Sequence, residues 1–159
     1  MKKLGLIGCG YWGPNIVRNI QKVKHASLDF IVDTNPEALN KLPVVTSLYD
    51  NLETALGRHS DVDGIIIATP ISTHFELAKK ALEAGKHVLI QKPMTMDVNE
   101  CDVLNEIAKS KGLTIMVAHT FLFTGAVRKL KELIDSNHLG NLKHFDSCRI
   151  NLGLFQRDK

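Results

Sequence analysis

The chain opens with an apolar run that leads into three glycines at fixed spacing. Residues Lys3 to Ile7 are mostly apolar, and Gly8, Gly10 and Gly13 follow within one short stretch, the glycine turn (residues 8–13). Glycines at such a strand end let the backbone turn sharply, approach a phosphate closely and allow the next helix to pack against the strand. The start of that helix also offers free amide groups to an anion. The stretch therefore predicts a strand, a tight turn and a helix that together hold a diphosphate.

The residues that follow place the glycine turn in the context of a nucleotide site. Apolar residues recur after it at helical spacing, namely Ile16, Val17, Ile20 and Val23. A second apolar run, from Leu28 to Val32, ends at Asp33, which lies twenty positions beyond Gly13. A carboxylate there accepts hydrogen bonds from the adenosine ribose hydroxyls and repels a 2′-phosphate. The pattern predicts NAD in preference to NADP; the alternative is that Asp33 only caps a helix that begins near Pro36.

Length and charge narrow the classes of protein that fit this sequence. With 159 residues, the chain has room for one domain or slightly more, with a sizeable core. Its net charge of +3 comes from 20 basic and 17 acidic residues, which are scattered along the chain. The densest basic cluster, Arg128 to Lys131, shares its helix with an apolar stripe, so a solvated helix face explains it better than a phosphate site. We therefore expect no nucleic-acid partner.

Cysteine usage and hydropathy bear on the compartment. Cys9, Cys101 and Cys148 are odd in number, far apart and form no CxxC pair, which indicates a reducing environment. Cys9 stands inside the glycine turn, where a small buried filler is the simplest role. The sequence carries no charged-then-apolar leader, no long apolar run and no lipidation signal. We expect a cytoplasmic protein with no membrane partner.

Apolar runs rich in β-branched residues alternate with helical patterns along the chain. There are six such runs: Lys3 to Ile7, Leu28 to Val32, Val44-Val45, Gly64 to Ala68, His87 to Ile90 and Thr114 to Ala118. This alternation is typical of a parallel sheet covered on both faces, and right-handed crossovers make it doubly wound. The predicted fold class is therefore α/β, a Rossmann-type sheet. Two helix starts also look capped, by Thr73 with Glu76 and by Asp97 with Glu100.

The pattern changes near residue 122. A helix is predicted from about Thr124 to Ser136, followed by a strand-like segment from Leu142 to Ile150. That strand has little left in this sequence to pair with, and unpaired strand edges invite association or disorder. We divide the chain into a dinucleotide-binding domain over residues 1–122 and, over residues 123–159, the first helix and strand of a second domain.

Polar residues follow the predicted strands where ligands bind in open α/β sheets, outside the carboxyl ends. Lys92, stiffened by Pro93, is the candidate catalytic residue, because an ammonium beside a cofactor ring can orient a substrate hydroxyl or move its proton. The cofactor-binding candidates are Gly8, Gly10, Tyr11, Trp12, Gly13, Asp33, Thr69, Pro70, His74, Gln91, Lys92 and His119.

Some of these candidates have a plainer interpretation. Thr69 and Pro70 are also ordinary residues for a strand-to-helix turn. His74 stands at the start of the next helix, so a surface or capping role is equally open to it. Without the glycine turn, Lys92 would be taken for an exposed loop lysine.

Taken together, three segments resemble one protein family. They are Gly8-Cys9-Gly10-Tyr11-Trp12-Gly13, Ala68-Thr69-Pro70 with His74, and the run from Ala84 to Pro93 that reads AGKHVLIQKP. They resemble the glucose-fructose oxidoreductase, inositol dehydrogenase and rhizopine catabolism (Gfo/Idh/MocA) family over essentially the whole chain. The tail from Ala118 to Leu130 looks like the nucleotide-sugar dehydrogenase branch.

The resemblance implies oxidation or reduction, with a nicotinamide cofactor, at a ring carbon of a sugar, nucleotide sugar or cyclitol. In the family, a lysine near the nicotinamide and the reacting hydroxyl corresponds to Lys92, the glycine motif to Gly8, Gly10 and Gly13, and the ribose acid to Asp33. The resemblance also implies a homo-oligomer for the full-length enzyme.

Two departures from the family pattern matter. The residue before the lysine is usually glutamate, whereas this chain has Gln91, which still forms hydrogen bonds but removes a negative charge beside Lys92. Family members also carry a second, mostly β domain that supplies an Asp and a His to the substrate site, and the sequence ends at Lys159 before any such motif. We therefore expect binding without useful turnover; a non-catalytic dinucleotide-binding sensor or subunit module is the alternative.

Overall fold

A single parallel sheet organises the amino-terminal part of the chain. The computed structural model describes residues 1–40, 46–148 and 150. The strands are β1 (Lys2–Ile7), β2 (Ala26–Val32), β3 (Ser47–Tyr49), β4 (Gly64–Ile67), β5 (His87–Ile90) and β6 (Ile115–Val117). All neighbours pair in parallel, in the order β3-β2-β1-β4-β5-β6. The predicted doubly wound α/β sheet is confirmed.

The third strand is the one that differs from expectation. The predicted run Val44-Val45 lies outside the described residues, and the observed β3 begins at Ser47. Its three residues pair with β2 from Phe30 to Val32. Only one of these three residues, Leu48, is aliphatic, so the sequence has no apolar run from which β3 could be predicted.

A helix lies between each pair of consecutive strands, and α6 follows β6. They are α1 (Gly13–Ile20), α2 (Pro36–Asn40), α3 (Leu52–Arg58), α4 (His74–Glu83), α5 (Val98–Ser110) and α6 (Gly125–Asp135). Asp97 caps α5 as predicted, its carboxylate accepting the Asn99 N–H at 2.7 Å. The predicted capping box at Thr73 is wrong, because the Thr73 hydroxyl faces backward, 2.7 Å from the Thr69 hydroxyl and 2.8 Å from the Pro70 carbonyl.

The sheet buries both of its faces. Successive strand residues point to opposite sides, so Leu6, Ile31 and Ile66 pack with α1 on one face. Ile65, Ile67 and their neighbours pack on the other face against α3, α4 and α5. Two-sided burial explains why β4, Gly64–Ile67, is apolar without alternation.

A second compact unit begins at Thr120, whereas the sequence placed the boundary after Leu122. It contains a short 3-10 turn, Thr120–Phe123, and α6, which matches the helix predicted from Thr124. The strand predicted from Leu142 to Ile150 is wrong over its described part, because residues 142–148 form no strand. After α6, the described residues offer no second strand, so the segment's backbone has no ladder to join.

Candidate functional site

The glycine turn leaves β1 and enters α1 with little room for side chains. Gly8 has a φ of +89°, and a Cβ there would lie 2.6 Å from the Ala68 carbonyl oxygen. A Cβ on Gly13 would lie 2.7 Å from Cys9 Sγ, so this glycine lets α1 pack against the turn. At Gly10, by contrast, no described atom stands within 4 Å of the Cβ position. Gly8 and Gly13 therefore serve the turn itself, and Gly10 leaves open space beside it.

The carboxyl ends of the strands align along one edge of the sheet. Ile7 pairs with Ile67, and Ile67 pairs with Ile90. The ladder continues one step further, with the Ala68 N–H donating to Ile7 and the Gln91 N–H donating to Ile67. Gly8, Ala68 and Gln91 are thus neighbours across β1, β4 and β5, and Thr69, Lys92 and His119 follow on the same edge.

Asp33 joins the end of β2 to the glycine turn. Its Oδ2 accepts the Cys9 N–H at 2.6 Å, and its Oδ1 accepts the Asn35 N–H at 2.8 Å. A carboxylate has about four acceptor positions, so two backbone bonds leave capacity for ribose hydroxyls. The first of these contacts was not anticipated from the sequence.

Asp33 does not cap α2, which was the alternative role considered for it. Asn35 directly precedes α2, and its Oδ1 accepts the Glu37 N–H at 3.0 Å. Asn35 is therefore the residue that caps α2. Asp33 instead binds the Asn35 amide in the turn before the helix and keeps its second oxygen on the glycine turn.

Two large aromatic side chains project from the glycine turn. Tyr11 is 74% exposed and Trp12 is 54% exposed, and their rings meet edge to face with centroids 5.5 Å apart. Exposed aromatic rings of this size present apolar surface to a ligand. Trp12 is also the only tryptophan of the chain, so its fluorescence reports on this turn alone.

Lys92 and its neighbours occupy the turn after β5. Lys92 is exposed, and its ammonium has no hydrogen-bond or ion-pair partner among residues 1–40, 46–148 and 150. Gln91 is half-buried, and the Lys92–Pro93 peptide bond is cis. An ammonium without a protein partner is open to a ligand. His119, after β6, is exposed as well.

His74 is placed differently from the other candidates. It is only 1% exposed, and its two ring nitrogens face the backbone carbonyls of Thr69, at 2.9 Å, and Pro93, at 3.0 Å. The direct cofactor contact predicted for His74 therefore has no open nitrogen in this structure. Its partners are backbone oxygens of two turns, one five residues before His74 and the other nineteen residues after it.

The thiol of Cys9 is buried in the small core beneath α1, as predicted for a filler residue. Burial, and to a smaller extent the nearby Asp33 carboxylate, together raise the pKa of this thiol to about 11. The thiol is therefore protonated at neutral pH and adds no charge to the turn.

Comparison with known proteins decides the family. The Gfo/Idh/MocA profile, described as an oxidoreductase family with an NAD-binding Rossmann fold, matches residues 2–119. The chain belongs to this family. The profile covers the first compact unit as far as the end of the site-bearing edge of the sheet. The glycine turn, Asp33 and Lys92 accordingly lie in the part of the chain that matches the family's NAD-binding Rossmann fold.

Individual relatives agree with this assignment. An uncharacterised oxidoreductase from Streptococcus pneumoniae serotype 4 is 31% identical over 152 residues, which span 94% of this chain and 40% of that protein. Scyllo-inositol dehydrogenase from Lactobacillus casei, crystallised with NAD(H) and scyllo-inositol, superposes with a TM-score of 0.79 at 26% identity, over 89% of this chain and 43% of that one.

The WlbA dehydrogenase from Bordetella pertussis, crystallised with NADH and UDP-GlcNAcA, superposes with a TM-score of 0.80 at 26% identity. That match covers 88% of this chain and 44% of that one. The chain thus spans about two fifths of the length of each of these three relatives. No helix among the described residues is long and apolar enough to cross a membrane.

Proposed function

We propose that this chain is the cofactor-binding part of a dehydrogenase that transfers a hydride between NAD and a ring carbon of a sugar, cyclitol or nucleotide sugar. The observation that carries the proposal is the glycine turn held by Asp33, with open space at Gly10. The inositol and nucleotide-sugar ligands of two structural relatives support the substrate class. We further infer that the full-length enzyme is a cytoplasmic homo-oligomer.

The residues of the glycine turn fit a dinucleotide. The space beside Gly10 accommodates a diphosphate, next to the amide groups at the start of α1. Asp33 uses its remaining acceptor positions for the adenosine ribose hydroxyls, and its negative charge disfavours the additional phosphate of NADP. The bound nicotinamide supplies the hydride acceptor or donor.

Lys92 is the residue that we assign to proton movement. A ring carbon that loses a hydride must also lose the proton of its hydroxyl. Lys92 would take that proton as the neutral amine, and in the reverse direction its ammonium would return it. The Lys92 side chain is exposed at the carboxyl end of β5 and has no partner in the described part of the chain, which suits this role. Thr69, Pro70, Gln91 and His119 line the same edge and would contact the cofactor.

Titration calorimetry with NAD and NADP tests the proposal. The chain should bind NAD more tightly than NADP, and Asp33→Ala should reduce that preference by roughly tenfold, the equivalent of about 1.4 kcal/mol. Adding sugars to the same samples should produce no NADH, because the family resemblance implies that the substrate site also needs an Asp and a His from a second domain. An unchanged ratio would remove Asp33 from ribose recognition, and sugar-dependent NADH would contradict the inferred need for a second domain.

A further inference from the structure

His74 connects the turns that follow β4 and β5. It is the first residue of α4, and its ring is buried between the two turns. Nε2 lies 2.9 Å from the carbonyl oxygen of Thr69, which stands two residues after the end of β4. Nδ1 lies 3.0 Å from the carbonyl oxygen of Pro93, the residue after Lys92. One rigid ring therefore spans both turns.

The sheet does not make this connection by itself. The β4–β5 ladder extends as far as the Gln91 N–H, which donates to the Ile67 carbonyl at 2.9 Å. Beyond that bond, Thr69 and Lys92 stand on turns rather than on paired strands. The imidazole fixes the separation of the two carbonyls, because its nitrogens stand at a constant distance across a planar ring.

The two contacts also define the chemistry that the ring must supply. A backbone carbonyl only accepts hydrogen bonds, so each contact needs an N–H on the ring. A neutral imidazole carries one N–H, so the tautomer decides which of the two carbonyls accepts the hydrogen bond. Replacement by an apolar ring of similar shape would remove the donor while keeping the space filled.

We propose that His74 is a positioning residue that holds the Thr69 and Lys92 turns at the separation a nicotinamide requires. This rests on the proposed NAD function, since it assigns His74 a role in shaping that site. His74 acts through Thr69 and Pro93 and does not contact the cofactor, because its ring is almost fully buried. A role in stability alone would leave the geometry of the Lys92 turn unaffected.

Three substitutions separate the contacts. In His74→Phe neither contact has a donor. In His74→Asn the side-chain amide reaches the position of Nδ1 and keeps a donor for Pro93, and in His74→Gln it reaches the position of Nε2 and keeps a donor for Thr69. Leu82→Ala is the matched control, because Leu82 is fully buried on the same helix, in the apolar core. It lowers stability without removing a contact to either turn.

Two readouts are measured on each folded variant. The first is NAD affinity by calorimetry. The second is the protection by NAD of Lys92 against amine acetylation, quantified by mass spectrometry with the exposed Lys24 as internal reference. His74→Phe should weaken NAD binding roughly tenfold, the equivalent of about 1.4 kcal/mol, and abolish protection of Lys92. Each amide variant should recover part of both, and Leu82→Ala should keep both.

Other outcomes overturn the inference. Wild-type affinity and wild-type protection in His74→Phe would show that the ring is only a filler. If that variant does not fold, the amide variants decide, and full protection of Lys92 in both would likewise show that the ring is only a filler. A wild-type chain that binds no NAD would instead refute the proposed function, on which the inference rests, so the two failures are distinguishable.

Discussion

At the scale of single residues, Asp33 and Cys9 form the joint between β2 and the glycine turn. The Asp33 carboxylate accepts the Cys9 N–H, while the Cys9 side chain fills the core under α1. The hydrogen bond therefore holds the backbone of the turn, and the buried Cys9 side chain anchors the turn to the core. A site that must receive a diphosphate benefits from a turn that is already held in place.

Alkylation of the cysteines tests this arrangement. Because the pKa of Cys9 is raised to about 11 and the thiol is buried, Cys9 should react far more slowly than the exposed Cys148 near neutral pH. Its rate should rise as the pH approaches 11. Mass spectrometry of the folded protein gives both rates, and equal rates near neutral pH would contradict the buried, protonated thiol.

The same pKa has a consequence for stability. Between the ordinary value of 9.0 and about 11, the folded chain keeps a thiol proton that the unfolded chain has lost. The contribution of Cys9 to the free energy of unfolding is therefore complete below pH 9.0 and is lost as the pH rises through that window.

Residue-scale prediction from sequence succeeded where chemistry follows fixed spacing. The turn at Gly8 and the position of Asp33 at the end of β2 are local consequences of a strand-turn-helix unit. The partners of His74 could not be predicted, because Thr69 and Pro93 come together only when β4 and β5 pair. The bond from Cys9 to Asp33 depends in the same way on the pairing of β1 with β2.

At the scale of elements, apolar runs identified the strands that are buried on both faces. β4 and β5 were predicted within one residue, since β4 is a continuous apolar segment and β5 is apolar from Val88 to Ile90. The position of β3 was not predicted, because β3 is an edge strand and edge strands need little apolar surface. The segment after Leu142 shows the converse, since its partly alternating pattern forms no strand over the described residues 142–148.

The cap of α5 provides a test at this scale. Asp97→Ala removes the carboxylate that accepts the Asn99 N–H, and it should lower the free energy of unfolding by about 1 kcal/mol. Asp102→Ala, on the exposed side of the same helix, should change it by less than about 0.5 kcal/mol. Urea denaturation followed by circular dichroism measures both, and equal effects would mean that the cap contributes nothing specific.

At the scale of the whole molecule, the sheet explains why the candidate residues are spread over the sequence yet lie along one edge. Each crossover returns the chain to start a new parallel strand, so every strand delivers its next residues to the same end. The order β3-β2-β1-β4-β5-β6 places β1 and β4 side by side at the centre. The family match and the site geometry therefore concern the same unit, Met1–His119.

One substitution tests whether the space beside Gly10 receives the diphosphate of NAD, as we propose. Gly10→Ala adds a methyl group where no described atom stands, so the fold should be unchanged. Gly57→Ala is the matched control, because it adds a methyl group to equally open space on α3. We predict that calorimetric NAD affinity falls at least roughly tenfold, about 1.4 kcal/mol, in Gly10→Ala and stays at the wild-type value in Gly57→Ala. Equal NAD affinity in both variants and the wild type would contradict the account.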